Sequence, residues 1–209
     1  MTVLDISVPI RDAMTVYRGN PPVRIRPAMT LARDGVNLSE ICLGSHTGTH
    51  VDAPRHFIKD GRGIDRIDLD RFIGPAWVAD LRRVRAGIDA EALEGAGIPR
   101  RTARVLLRTR NSRLWHPAQP FTTEFVYLAP DGADWLLHRG VRLVGIDYLS
   151  IEGFKVAGAP THKTLLGAGV PIVEGLDLFR ATPGPWQMIA LPLRIEDGDA
   201  GLTRAVLWK

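Results

Sequence analysis

The sequence predicts an α/β domain richer in strand than in helix. Three observations carry that expectation: short alternating apolar runs recur along the whole chain, Gly and Pro clusters separate them, and only three short windows read as helix. Leu4-Asp5-Ile6-Ser7-Val8 alternates like a strand, a loop around Gly19-Asn20-Pro21-Pro22 interrupts, and Val23-Arg24-Ile25-Arg26 alternates again. Ser39 to Leu43 is a third strand, leading into a histidine-rich segment whose Thr47, Thr49 and Val51 favour extended backbone. Strands at Trp77–Leu81 and Arg104–Leu107 flank a short helix over Ala90–Ala96, with Asp89 as its cap and Gly97 as its stop. A second helix over Ala133–His138 precedes a strand at Val141–Ile146, and a third over Thr161–Ala168 precedes Pro171–Val173. Met188–Leu193 and Leu202–Trp208 return to strand, so layered sheets are the expected packing.

At 209 residues, 45% hydrophobic and 24% charged, the chain is expected to form one domain over residues 1–209 with a substantial core. No run approaches the roughly 20 apolar residues of a membrane span, and the first residues lack the layout of a signal peptide. A cytoplasmic protein without a membrane partner is therefore expected. Cys42, the single cysteine, cannot form an internal disulfide and is expected to be a buried apolar filler. The net charge of +4 does not call for nucleic acid, because the basic residues are scattered among acids. Arg82-Arg83-Val84-Arg85 and Pro99-Arg100-Arg101, the dense spots, are expected at solvated loop ends.

The chemistry concentrates in Ser45-His46-Thr47-Gly48-Thr49-His50-Val51-Asp52-Ala53-Pro54-Arg55-His56. Three of the six histidines and a carboxylate fall here, all at even positions. Imidazole and carboxylate suit zinc, or less often manganese or iron, and burying such groups without a cation costs several kcal/mol each. In extended chain His46, Gly48, His50 and Asp52 share a face, but at about 3.3 Å per residue His46 and Asp52 would stand roughly 20 Å apart. A bend at or beside Gly48 must therefore bring His46 and His50 toward Asp52. Pro54 then ends regular pairing and sets the path to His56, held near the ion.

Other catalytic patterns are missing: there is no Gly-x-Ser-x-Gly elbow around Ser45, no His-Glu-x-x-His and no phosphate-binding Gly-x-x-x-x-Gly-Lys. Ser45 is expected to be a turn residue, His116 and His138 to lie on a loop and a helix end, and the five tryptophans in core or subunit contacts. Asp147, after an apolar strand, is expected to hydrogen-bond near a site and not to ligate.

Read as His46-x-Gly48-Thr49-His50-x-Asp52-x-Pro54-x-His56, the segment resembles the signature of the cyclase family of metal-dependent hydrolases, which includes bacterial kynurenine formamidase. The resemblance extends to Leu4–Ile10, to Gly145-Ile146-Asp147 with Ser150, to Thr161–Leu166, to Ile172–Leu176 and to Leu191-Pro192-Leu193, nearly the whole chain. It implies a three-layer swivelling β/β/α domain and two Zn2+ per subunit, with Mn2+ as a substitute. On that resemblance His46, His50 and Asp52 hold one zinc, Asp52 bridges to a second held by His162 and Glu174, and His56 is the acid/base. Where formamidases carry Trp-Pro-Gly-Asp this chain has Tyr17-Arg18-Gly19-Asn20, which makes Tyr17 the aromatic that would stack on an aryl substrate.

The expected reaction is hydrolysis of an amide C–N bond, of the arylformamidase type known from tryptophan catabolism, on N-formylkynurenine or a related N-formyl arylamine. Its nucleophile would be a water ionised by the two zincs. A cyclic amide or lactone hydrolase resembling isatin hydrolase is the alternative within the family, and a non-catalytic metal-binding module the alternative outside it. The resemblance further implies a small-molecule substrate and a homodimer or homotetramer.

Overall fold

The computed structural model describes residues 1–116 and 118–209. In chain order its strands are β1 (Val3–Asp5), β2 (Arg24–Met29), β3 (Leu38–Cys42), β4 (His50–Asp52), β5 (Ile73–Asp80), β6 (Gly87–Ile88), β7 (Arg104–Arg108), β8 (Tyr127–Leu128), β9 (Leu143–Ile146), β10 (Ile172–Glu174), β11 (Gly184–Ile189), β12 (Ala200–Leu202) and β13 (Val206–Trp208). The α-helices are α1 (Leu31–Asp34), α2 (Ala90–Gly95), α3 (Pro130–His138) and α4 (Pro160–Gly167). Nine strands form one sheet in the order β1-β13-β11-β5-β7-β9-β10-β4-β12. Its centre, β5-β7-β9-β10, is parallel, whereas the ribbons on both sides pair antiparallel.

The parallel centre is buried on both faces, which is why Arg104–Leu107 and Leu143–Ile146 show near-continuous apolar runs. Along each strand the side chains alternate between two cores. Val105, Leu107, Val144 and Ile146 face Leu93 of α2, Leu136 of α3 and Leu165 of α4. Ala76, Val78, Leu106 and Val173 face inward, where the sheet curls until Val51 of β4 and Leu207 of β13 join one cluster. Helices, parallel strands and the curled-over ribbons thus make three layers, the β/β/α arrangement that the resemblance implies. Each fully buried Leu of these clusters contributes about 2 kcal/mol. Backbone bonds close the curl: the Ile6 N–H donates to Ala205 O (3.0 Å) and the Asp177 N–H to Ile6 O (2.8 Å).

Several elements extend or fall short of their sequence patterns. The Asp89 carboxylate caps α2 by accepting from the Ala92 N–H at 2.8 Å, as expected. The second helix begins three residues early because Pro130 occupies its first turn, a position where the missing N–H costs nothing. The Leu202–Trp208 run is two strands, since residues 203–205 turn away to receive Ile6 and Ser7.

The largest departure concerns β2 and β3. They pair only with each other, as an antiparallel arm outside the main sheet, and every β3 residue is exposed. Cys42 ends β3, so it is an exposed thiol and not the buried filler that its residue type suggested. Among the described residues no helix is long and apolar enough to cross a membrane.

Candidate metal centre

The register of β4 against β10 positions the first groups. Glu174 lies opposite His50, Val173 opposite Val51 and Ile172 opposite Asp52, so His50, Asp52 and Glu174 share one face while both valines enter the inner core. His46 arrives from the turn before β4. Gly48 adopts φ +60, and a Cβ there would lie 2.7 Å from Ile10 Cδ1, so the bend expected at this glycine is present. Gly175 has φ +66 and lets the bend approach β10: a Cβ on it would fall 1.9 Å from Gly48 O. Thr49 completes the staple, its hydroxyl donating to Gly175 O (2.6 Å) while accepting from the Val8 N–H (2.9 Å). His162 projects from α4, and His56 ends a short 3-10 turn, Pro54–His56.

The result is two triads sharing Asp52. His46, His50 and Asp52 place one ligand atom each within 4.8 Å of one another, and so do Asp52, His162 and Glu174. His46 Nδ1 lies 2.9 Å and His50 Nε2 3.3 Å from Asp52 Oδ1, with His162 Nε2 3.6 Å from Asp52 Oδ2 and 3.3 Å from Glu174 Oε1. About 3.3 Å is the edge of a tetrahedron whose centre lies 2.0 Å from each corner, the usual zinc–nitrogen distance.

Orientation supplies the decisive test of fit. His50 Nε2 and both Asp52 oxygens are buried with no hydrogen-bond partner among the described residues, despite the short separations. These atoms crowd together without hydrogen-bond geometry, an arrangement that a cation resolves and that would otherwise cost several kcal/mol. A third grouping, His46 with His56 and Asp199, is more exposed and leaves none of these orphaned atoms satisfied.

Each imidazole is also held from behind. Nδ1 of His50 donates to Gly48 O (3.0 Å), Nε2 of His46 faces Asp199 Oδ2 (3.0 Å), and Nδ1 of His162 faces Glu152 Oε2 (3.3 Å). Glu152 also accepts from the His162 backbone N–H at 3.1 Å. Such outer acceptors fix the ring and the tautomer that presents its other nitrogen to a metal. Neither Asp199 nor Glu152 stood out in the sequence. Asp199 lies 153 residues from His46 in an acidic turn, Glu196-Asp197-Gly198-Asp199, which carried the only available signal.

Electrostatics point the same way. Burial disfavours charge on His50 and His162, yet Asp52 and Glu174 lift the first, and Glu152 and Glu174 the second, to about 10. Burial would raise Asp52, but the His46 and His50 imidazoles hold it well below the usual carboxylate range. The cluster therefore draws positive charge, as protons or as metal ions. His56 differs: burial lowers its pKa, so it is neutral at pH 7. Its ring lies 3.9 Å from that of His46 between centroids, tilted by 35°.

A cavity of about 320 Å³ opens onto this centre. Tyr17, Phe57 and Lys155 line it together with His56, His162 and Glu152. Tyr17 packs edge-on against Phe121, with ring centroids 5.2 Å apart. No tryptophan lines this cavity among the described residues. Asp147 lies elsewhere: buried, it accepts from the backbone and hydroxyls of Thr109 and Ser112 and fixes the turn after β7. His116 pairs with Asp177 and His138 ends α3, both outside the centre.

Fold and site together define the class, an α/β metal-dependent hydrolase. The Cyclase family model, described as "Putative cyclase", matches residues 4–153, and the chain belongs to that family. Kynurenine formamidase of Salinibacter ruber is 36% identical, over 99% of this chain and 97% of its own length. Kynurenine formamidase of Geobacillus thermodenitrificans is 34% identical over the same shares. Among solved structures, a "potential metal-dependent hydrolase with cyclase activity" superposes with TM-score 0.85 at 35% identity, covering 99% of this chain and 96% of that one. Isatin hydrolase A from Ralstonia solanacearum shares the fold, with TM-score 0.87 at 22% identity over 99% and 91%.

Proposed function

We propose that this protein hydrolyses the C–N bond of an N-formyl arylamine of the N-formylkynurenine kind, releasing formate and the free arylamine. The observation that carries this reading is the cavity itself, lined by Tyr17, Phe57 and a neutral His56 beside two buried metal-ligand triads. The similarity to two kynurenine formamidases across nearly the full chain supports it.

His46, His50 and Asp52 would hold one divalent ion, and Asp52, His162 and Glu174 a second, with Zn2+ best suited to nitrogen and carboxylate donors. Bound there, the ions would supply an acidified water and an electrophile for the formyl oxygen. The remaining work falls to side chains. His56, neutral at pH 7, takes a proton as water adds to the formyl carbon and returns it to the aryl nitrogen as the C–N bond breaks. Tyr17 and Phe57 give the aryl ring apolar surface and exclude water from one side.

Turnover by the zinc- and manganese-loaded protein, measured as formate release from N-formylkynurenine and formanilide beside ring opening of isatin, tests the reading. Formate release is expected. Isatin opening alone would assign a cyclic-amide hydrolase, and tight metal binding with no turnover a non-catalytic module.

We also infer that the chain forms a closed homo-oligomer, a dimer or tetramer, through its β2–β3 arm. A lone two-stranded ribbon is marginal in water, and this one exposes Met29, Leu38 and Ile41. A second copy is the commonest cover for such a surface. The exposed Cys42 thiol fits a reducing compartment such as the cytoplasm.

A further inference from the structure

We propose that Lys155, backed by Arg18, is the anchor for a carboxylate on the substrate, placed so that the scissile amide reaches His56. The inference rests on the formamidase reading and adds a charge requirement to it.

Apart from histidines, Lys155 is the one cationic side chain lining the cavity among the described residues. The same cavity is lined by His56, His162 and Glu174, so it joins metal-ligand groups and one ammonium. The backbone at Lys155 is unusual. It has φ +57, a left-handed conformation that side-chain-bearing residues adopt at a cost and that tends to persist where surroundings enforce it.

Arg18 adds a second cation. Its guanidinium carbon lies 5.7 Å from the Phe154 ring centroid, and Lys155 Nζ lies 5.5 Å from the same centroid. Contacts of this kind contribute about 0.5–1 kcal/mol at exposed sites and leave the charge itself uncompensated. Among the described residues neither cation has a carboxylate within 4.0 Å, whereas Arg33, Arg66, Arg82, Arg142 and Arg204 each do. Residues 17–20, Tyr-Arg-Gly-Asn, bring no acid to this edge. Lys155 on the cavity lining and Arg18 on the same Phe154 ring, both without an internal counter-ion, offer a receptor for an anion carried by the ligand. A cavity of about 320 Å³ takes an aryl formamide whose short side chain ends in a carboxylate.

The test compares N-formylkynurenine with its methyl ester, which keeps the ring and formamide but loses the negative charge. In the metal-loaded protein kcat/KM should favour the acid by about tenfold or more, the factor expected of one charge-assisted contact. Lys155→Met should collapse that ratio toward one through KM, Lys155→Arg should retain most of it, and the preference should shrink with added salt. Calorimetric titration with kynurenine and its methyl ester reads the same preference without turnover. If the acid binds better and Lys155→Met removes the difference, the anchor stands even where no formamide is hydrolysed, and the formamidase reading falls alone. If acid and ester behave alike, or Lys155→Met leaves the preference intact, the anchor is overturned while formate release keeps the formamidase reading.

Discussion

The metal centre and the wall that faces it are built in opposite ways. The centre hangs on sheet register, with His50, Asp52 and Glu174 on paired strands, a backbone staple through Thr49 and an outer acceptor behind each imidazole. The wall is made of turns: Tyr17 and Asn20 from one loop, Gly153, Lys155 and Ala159 from another, with Lys155 and Ala159 both at positive φ. Reaction chemistry is thus tied to the core, and substrate choice to loops that can vary without disturbing it. Variants of the centre should change metal content or kcat, and variants of the wall should change KM and selectivity.

The sharpest way to break this contrast lies inside the centre. Asp52→Ala should lose both metals and depress turnover by at least about 10⁴-fold, because the whole metal contribution to the rate goes with the shared ligand. His56→Ala should keep its metal while kcat falls by about 10²–10⁴-fold. Metal analysis of the purified variants beside kinetics checks both, and metal loss in His56→Ala would turn that residue into a ligand and undo its acid/base role.

A smaller effect sharpens the picture of how the rings are aimed. Asp199→Asn and Glu152→Gln should each weaken metal affinity by about 10–100-fold, measured by competition with a chromogenic chelator. Unchanged affinity in both would mean that the bend at Gly48 and the packing of α4 alone orient His46 and His162.

The smallest effect lies outside both regions, at Asp147. Burial raises its pKa to about 6 against four hydrogen bonds that favour the charged form. A folded-state pKa above the unfolded value means that its contribution to stability is complete below about pH 4 and lost as pH rises through 6. The difference in unfolding free energy between Asp147→Asn and wild type, read by denaturant titration, should therefore move in the variant's favour between pH 4.5 and 7, by about 1–3 kcal/mol at most. A pH-independent difference would show that Asp147 is ionised throughout that range.

The same division explains what could be read without coordinates. His46, His50 and Asp52 were legible because a strand puts even positions on one face, and the bend at Gly48 because three such groups cannot otherwise meet. His162 and Glu174 became visible only through the family resemblance, since nothing local links a helix and a strand end to residue 52. Asp199, Glu152 and the close approach at Gly175 escaped altogether, being contacts between segments far apart in the chain. Alternation also identified β2 and β3 as strands without revealing that they pair only with each other, because it reports faces and not neighbours, and so Cys42 was misplaced.

The pairing of β4 with β10 spans only three residues, and a slip of β4 by one would turn Val51 toward Glu174 and carry His50 and Asp52 into the oily interior. Cation capture at the proposed centre would thus proofread strand alignment: only a correctly threaded polypeptide offers the full ligand set, so loading with metal would certify the architecture before any substrate arrives.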